Sequence, residues 1–477
     1  MNLLELACGV VVTAPTQTQP HPFAGYILFA RDCDDVARTR ALTDALRTRG
    51  APPPIIAIDQ EGGRIMRLRA GVEPMPAMMA LGALADTEVA AAAGETIAHD
   101  LRRAGCTLDF APVLDLALDP RNTVIGTRAF GTNTELVARI GAAFAKGLED
   151  GGIAATFKHF PGHGATAFDT HLGAARLNSD EATLRGRDLV PFKAAARDGS
   201  AIMASHVAVP AIDGDRPASV SHRFLTGILR EEWGFGGVCF TDCMQMDAIA
   251  KGIGTVRGVT EAIGAGADCA LVSHEPQLAL EAARHLASAV ERGDVPLARL
   301  QEANARVMRL RAAARAPLPL DDPAPYPGLG RRIAREAVTL VRGEPRGDAL
   351  ADCAVVFGEY SIAEHVPALI EHKLDVDPDD AACEQLLTEV RRSNLRPVVL
   401  SYRAHLYPGQ ARAVDAILAH ASDALIVSTG EPYDLPHFAN ARHLLACYGN
   451  DPVSLAGLSD VVFCGAACRG VLPIALS

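Results

Sequence analysis

The chain has 477 residues, more than one average domain holds, which predicts two domains. Apolar residues make up 49% of it, enough for a large core, yet no run of about 18 uncharged apolar residues is present that could span a membrane. Lys and Arg number 45 against 57 Asp and Glu, a net charge of −12 with no basic block, which argues against nucleic acid or an anionic membrane as partner. At the N-terminus, Glu5 interrupts the apolar stretch and no basic region precedes it, so no secretory leader is expected. Leu6-Ala7-Cys8 is preceded by too short a leader for a lipoprotein site and reads instead as a first core strand. Eleven cysteines are scattered singly, several in apolar surroundings (Cys239, Cys269, Cys464), which predicts reduced, buried thiols and a cytoplasmic location.

Short apolar runs then alternate with amphipathic stretches. Strands are expected over Gly9–Val12, Tyr26–Ala30, Ile55–Asp59, Leu108–Val113, Ala154–His159, Ile202–His206, Val238–Asp242 and Cys269–Ser273. Helices are expected over Val36–Arg47, Thr87–Arg103, Thr134–Leu148, Asp180–Arg197, His222–Glu232, Val256–Ala265 and Gln277–Glu291. Eight strands alternating with helices imply parallel pairing through right-handed crossovers, and the economical α/β solution is a (β/α)₈ barrel. The link from Val12 to Tyr26 is short and carries Pro15, Pro20 and Pro22. The first outer helix is therefore expected to be missing, or the first two strands to pair differently. A last helix over Leu297–Arg311 ends a barrel domain of residues 1–315. Five prolines between Pro317 and Pro327 make residues 316–332 a stiff linker. Residues 333–477 repeat the α/β pattern on a smaller scale, as a sandwich with strands at Ala354–Phe357, Val398–Ser401, Ala424–Val427, Leu444–Ala446 and Val461–Cys464. Its helices are expected at Ile362–Glu371, Cys383–Ser393 and Gln410–His420, and it carries no glycine-rich phosphate loop.

Chemistry concentrates where the barrel strands end. The stretch from Lys158 to His171 packs three histidines, a lysine and an aspartate among glycines, on a strand end and the loop beyond it. The third strand ends in Asp59, followed by Gln60-Glu61-Gly62-Gly63-Arg64 and Arg67. The fourth is followed by Asn122 to Gly131, which includes Arg128. The fifth ends in Lys158-His159, the sixth in Ser205-His206 and the seventh in Thr241-Asp242. Acids and bases arriving together from separate strands suit a polyhydroxy ligand, which needs charged hydrogen bonds to several hydroxyls. Asp169 and His171, two apart in an extended loop, point to the same side, so the carboxylate can orient the imidazole as a general acid/base. Gly162 and Gly164 would let that loop swing over a substrate. Asp242 as a simple helix cap, Asp115 as a structural rim residue and Trp233 as a core residue are the plain alternatives.

On Ala57-Ile58-Asp59-Gln60-Glu61-Gly62-Gly63-Arg64, the Lys158–His171 stretch with its Asp-Thr-His end, Arg216-Pro217-Ala218-Ser219 and Gly237 to Met246, the sequence resembles glycoside hydrolase family 3, within it the β-N-acetylhexosaminidase branch. The resemblance covers roughly residues 24 to 315. It implies Asp242 as nucleophile and His171 as acid/base oriented by Asp169. Asp59, Arg67, Arg128, Lys158 and His159 would bind the sugar, and His163 would brace the loop. The implied reaction is retaining hydrolysis of terminal N-acetylglucosamine, with no metal or other cofactor, on a muropeptide from peptidoglycan turnover or a chito-oligosaccharide. Three other readings stay open at this point: a phosphorylase or β-glucosidase-like member of the family, a metal hydrolase built on His159, His163, His171 and Asp169, and a sugar-binding module without catalysis.

Overall fold

The computed structural model describes residues 2–16, 22–166, 175–196, 201–344, 353–393 and 397–476. Its first part is a closed barrel of eight parallel strands: β1 (Val11–Thr13), β2 (Gly25–Leu28), β3 (Ile55–Ile58), β4 (Leu108–Asp109), β5 (Ala154–Phe160), β6 (Ala201–Ala204), β7 (Val238–Cys243) and β8 (Cys269–Val272). Each strand pairs with its neighbours in sequence, and β8 closes on β1. The strands are continuous apolar runs because both faces are covered. Val12, Ile27, Ile55, Ala57, Phe110, Met203 and Phe240 fill the interior, with Phe110 edge-on to Phe240 at 5.5 Å. Ile56, Ile58 and Cys239 point outward into the layer shared with the helices.

The short first connection behaves as its prolines suggest. Among the described residues it holds no helix, and β2 lies parallel to β1 with Val12 opposite Gly25. The N-terminus departs from expectation, because Leu3–Cys8 is a helix. Asn2 accepts from the Glu5 amide while Glu5 accepts from the Asn2 amide, so two orphan donors are satisfied reciprocally. The fourth strand is also shorter than expected. Pro112 has no N–H for the ladder, and only an isolated bridge from Val113 to Lys158 continues it. Trp233 packs edge-on against Phe160 at 5.7 Å, in the outer core.

At the N-terminal end of the barrel, just before β8, Asp268 is fully buried. It accepts from Arg230 at 2.5 Å, Arg299 at 2.6 Å, Arg306 at 3.1 Å and the Cys239 amide at 3.0 Å. This knot ties the helices Arg223–Glu232 and Leu297–Ala313 to the strands they cover.

Beyond the barrel the proline-rich stretch runs along its surface, with the Leu318 and Leu320 carbonyls accepting from Arg40 and Arg103. The helix Leu329–Ala337 follows and lies against the helices Met78–Leu84 and Pro452–Cys464. A six-stranded sheet completes the chain: β9 (Thr339–Arg342), β10 (Cys353–Phe357), β11 (Ile370–Leu374), β12 (Pro397–Ser401), β13 (Leu425–Ser428) and β14 (His443–Ala446), in the order β9-β14-β13-β12-β10-β11. Only β9 runs antiparallel to its neighbour. Two expectations fail here. Residues 461–464 end the helix Pro452–Cys464, started by Asp451 accepting from the Ser454 amide and by Pro452 at the first helical position. That helix is buried nearly all round, so its apolar end imitates a strand. Residues 362–369 form turns leading into β11, because Pro367 breaks the helical ladder and Glu371 folds back onto the Ile362 amide.

Candidate active site

The motif after β3 is a tight hairpin, Gln60–Gly62 against Ile65–Met66. Gln60 closes it: its side chain accepts from the Arg67 and Leu68 amides and donates to the Leu68 carbonyl. Gly62 has φ +109°, and a Cβ there would stand 2.5 Å from the Pro76 carbonyl, so only glycine fits. The hairpin leaves Glu61 buried at the barrel mouth with its carboxylate turned to two cations. Arg128 grips it in a bidentate pair at 2.7 Å and 2.7 Å, and Lys158 Nζ lies 2.6 Å away. Burial alone would raise the Glu61 carboxyl, but Arg128 and Lys158 outweigh it and hold it well below the usual carboxylate range. Lys158 also donates to Asp59 at 2.7 Å, and Arg67 lies 3.7 Å from Asp59 on the other side. Burial would lower the Lys158 ammonium, yet Asp59 and Glu61 turn the balance upward and keep it charged.

Lys158 and His159 are consecutive, and on a regular strand they would face opposite sides. The register between β5 and β6 shifts between Phe157 and Phe160, and the extra residue brings both side chains to the same cavity. His159 Nδ1 faces Asp115 Oδ2 at 2.6 Å, and its Nε2 faces Arg128 Nη2 at 3.3 Å. Arginine can only donate, so Nε2 accepts and Nδ1 carries the proton toward Asp115. Asp115 is wholly buried and also accepts from the His159 and His163 amides, which fixes the root of the long loop. Burial would raise its carboxyl, but His159 and His163 hold it low.

The barrel mouth is a cavity of about 310 Å³. Asp59, Arg67, Arg128, Lys158, His159 and Asp242 all line it, with Glu61 and His163 beside them. Asp242 sits at the end of β7, its Oδ1 accepting from the Cys243 amide at 2.7 Å. The Cys243 carbonyl accepts from His206 Nε2 at 2.9 Å, and His206 Nδ1 meets Ser219 Oγ at 2.7 Å. The carbonyl can only accept, so it places the proton on Nε2, and Ser219 of the Arg-Pro-Ala-Ser motif donates to Nδ1 and holds the ring that braces the backbone beside Asp242. Arg216 of the same motif points away, to Glu261 at 3.3 Å.

Asp169 and His171 lie outside the described residues. The loop that carries them leaves the barrel at the cavity: Asn122 donates to the His163 carbonyl, and Thr166 Oγ1 donates there as well. After the undescribed stretch, the Leu177 amide donates to the Ala208 carbonyl and the Ala208 amide to the Ala175 carbonyl. Gly162 and Gly164 are packed positions in this structure, both buried. A Cβ on Gly164 would stand 1.6 Å from the Leu116 carbonyl. Among the described residues no three His, Cys, Asp or Glu are grouped to hold a metal ion, and no helix is long and apolar enough to cross a membrane.

Sequence reasoning passed over Glu61 and the exact work of Asp115 and Ser219. The signal for Glu61 was an acid between Gln60 and two glycines, in a hairpin too tight to expose it. For Asp115 it was a carboxylate closing an apolar run, Phe110 to Leu114.

With this geometry in view, the model of the glycosyl hydrolase family 3 N-terminal domain matches residues 13–310, more than half of the chain. The chain belongs to glycosyl hydrolase family 3. It is a glycoside hydrolase. A beta-hexosaminidase of Nitrosomonas eutropha is 38% identical over 289 residues, covering 58% of this chain and 82% of that protein. One from Stenotrophomonas maltophilia is 40% identical over 289 residues, covering 59% and 85%. The solved structure of a family 3 beta-N-acetylglucosaminidase from Paenibacillus sp. matches all of this chain and 99% of its own, with a TM-score of 0.91 at 31% identity. The family 3 resemblance in the sequence therefore stands, and so does the (β/α)₈ barrel followed by a sandwich.

Proposed function

We propose that this glycoside hydrolase is a cytoplasmic retaining exo-β-N-acetylglucosaminidase that removes terminal non-reducing N-acetylglucosamine, with muropeptides from peptidoglycan turnover as its substrate. The observation that carries the reading is Asp242, a carboxylate at a strand end that lines one cavity with Asp59, Arg67, Arg128, Lys158 and His159. In this reading Asp59 and Lys158 bind adjacent hydroxyls, and Arg67, Arg128 and His159 complete the sugar pocket; their shared lining of the cavity supports it. The relatives' names support the N-acetylhexosamine.

In this mechanism Asp242 attacks the anomeric carbon as the glycosidic bond breaks, and His171 gives its proton to the departing oxygen. A glycosyl-aspartate results. His171, now neutral and oriented by Asp169, takes a proton from water, which attacks the same carbon and releases Asp242. Asp242→Asn should reduce turnover of a nitrophenyl N-acetylglucosaminide by about 10⁴-fold or more with the fold unchanged, and a fluorinated sugar trap should label Asp242 in the native enzyme. Labelling of a different carboxylate would overturn the assignment. Glycosyl phosphate as the main product in phosphate buffer would make phosphate the acceptor in place of water.

A further inference from the structure

The loop after β4 carries Asp115 and Arg128, the residues that orient His159 and grip Glu61. Four side chains of the second domain bind its backbone. Tyr433 donates its hydroxyl to the Ala117 carbonyl, His405 Nε2 meets the Pro120 carbonyl at 2.9 Å, and Arg403 reaches the Thr123 carbonyl at 3.4 Å. Glu431 accepts from the Thr127 amide at 3.3 Å. The chain's last turn adds a fifth hold, since the Pro473 carbonyl accepts from the Thr132 amide at 3.0 Å.

The loop is shaped for this contact. Gly126 has φ +48°, and a Cβ there would stand 1.8 Å from Glu431 Oε1, so the carboxylate lies flat on the loop backbone. Arg403 pins Glu431 by a bidentate pair, 2.6 Å and 2.6 Å, and both are buried. From the barrel side Arg64 donates to the Thr123, Val124 and Ile125 carbonyls. Burial and the neighbouring charge of Arg128 push the Arg64 guanidinium down, and Glu431 opposes them. Charged groups therefore run from the Arg403–Glu431 pair through Arg64 and Arg128 to Glu61, Lys158 and Asp59, and along this run like charges face each other between Arg64 and Arg128. Without the Glu431 charge, the repulsion of Arg64 by Arg128 and Arg403 would lose the carboxylate that opposes it, and the hold on the loop that carries Arg128 would loosen.

We propose that the second domain is a positioning element of the sugar site, with Glu431, held by Arg403, fixing the loop that delivers Arg128 to the cavity. This rests on reading the cavity as the sugar site. Glu431 touches no substrate in this scheme; it acts through the loop.

The test uses the full chain with Glu431→Gln, which keeps shape and removes charge. KM for the nitrophenyl N-acetylglucosaminide should rise about tenfold while kcat stays within about threefold, since a binding group is displaced and the reacting groups are not. Amides of residues 122–128 should exchange with deuterium about tenfold faster, a change that needs no substrate. Arg403→Lys should give an intermediate result, because lysine keeps the charge and loses the fork. An unchanged KM with unchanged exchange overturns the proposal, as does a fall in kcat at constant KM. A wild-type enzyme that ignores the sugar refutes the proposed function, and the exchange measurement still decides the clamp. If Glu431→Gln does not fold, Tyr433→Phe carries the same test. It should speed exchange around residue 117 and raise KM by about threefold, and no change in either overturns the proposal.

Discussion

The two ends of the barrel each bury a knot of opposite charges, and they are built differently. At the N-terminal end Asp268 takes three arginines and a backbone amide, and every bond turns inward. At the C-terminal end Asp59, Glu61, Lys158, Arg67 and Arg128 form a chain of pairs along a wall that opens on a cavity. The first knot ties helices to strands and presents no face to a ligand. The second holds charged groups in a fixed layout while leaving atoms turned to the cavity, as a polyhydroxy substrate requires. That division of labour is the one expected of a barrel, with stability at the bottom and chemistry at the top.

Three substitutions break or sharpen the contrast. Asp268→Asn should have the largest effect on the fold. Three half-buried arginines would lose the buried carboxylate they share, a loss of about 3–5 kcal/mol measured by denaturant unfolding, while KM of the protein that remains folded should barely move. A variant with lowered activity and full stability would show that the lower knot is not the anchor described. Glu61→Gln should do the reverse at the upper knot. Arg128 and Lys158 would lose a common partner and kcat/KM should fall by about 30-fold, or about 2 kcal/mol. The variant also changes the acid limb of stability. The Glu61 carboxyl is held low in the folded protein, so between its folded and unfolded values the unfolded chain binds more protons and stability rises with pH. Its contribution is complete above the unfolded value, about 4.3, and is lost as pH falls toward the folded value. Unfolding measured from pH 6 downward should therefore show a shallower slope in Glu61→Gln than in the native protein.

The smallest effect should come from Asp109, under the same wall. It is wholly buried, one oxygen accepting from the Gln60 amide at 2.9 Å and the other without a hydrogen-bond partner among the described residues. Burial pushes its carboxyl well above the usual range. Here the sign is opposite: the folded state holds the proton more tightly, so the group's contribution is present below the unfolded value, about 3.9, and is lost as pH rises. Asp109→Asn keeps the acceptor for Gln60 and removes that penalty. It should raise the unfolding midpoint at pH 7 with little gain at pH 4. A lower midpoint at both pH values would mean that the Asp109 charge is used by the Lys158 network.

The barrel was legible in the sequence because parallel strands covered on both faces must be unbroken apolar runs, and the eight runs lie between helical stretches. The charged residues that end those runs were legible for the same reason: a polar side chain at the edge of an apolar strand has few places to go. Local sequence could not place residues whose partners come from elsewhere. Glu61 needs Arg128 from one loop and Lys158 from another strand. Asp115 needs His159, and Ser219 needs His206. The mostly apolar helix Pro452–Cys464 passed for a strand at its end because burial on most of its faces blurs its period.

By itself, then, the sequence determined the alternation of elements, the strand-end chemistry and the family motif, all of which are properties of short stretches. Only the tertiary structure decided which carboxylate each cation serves, and that the loop bearing Arg128 is held by the second domain. Those pairings depend on burial and on distances of about 3 Å between residues far apart in the chain, where a charge must find a partner or pay the cost of leaving water.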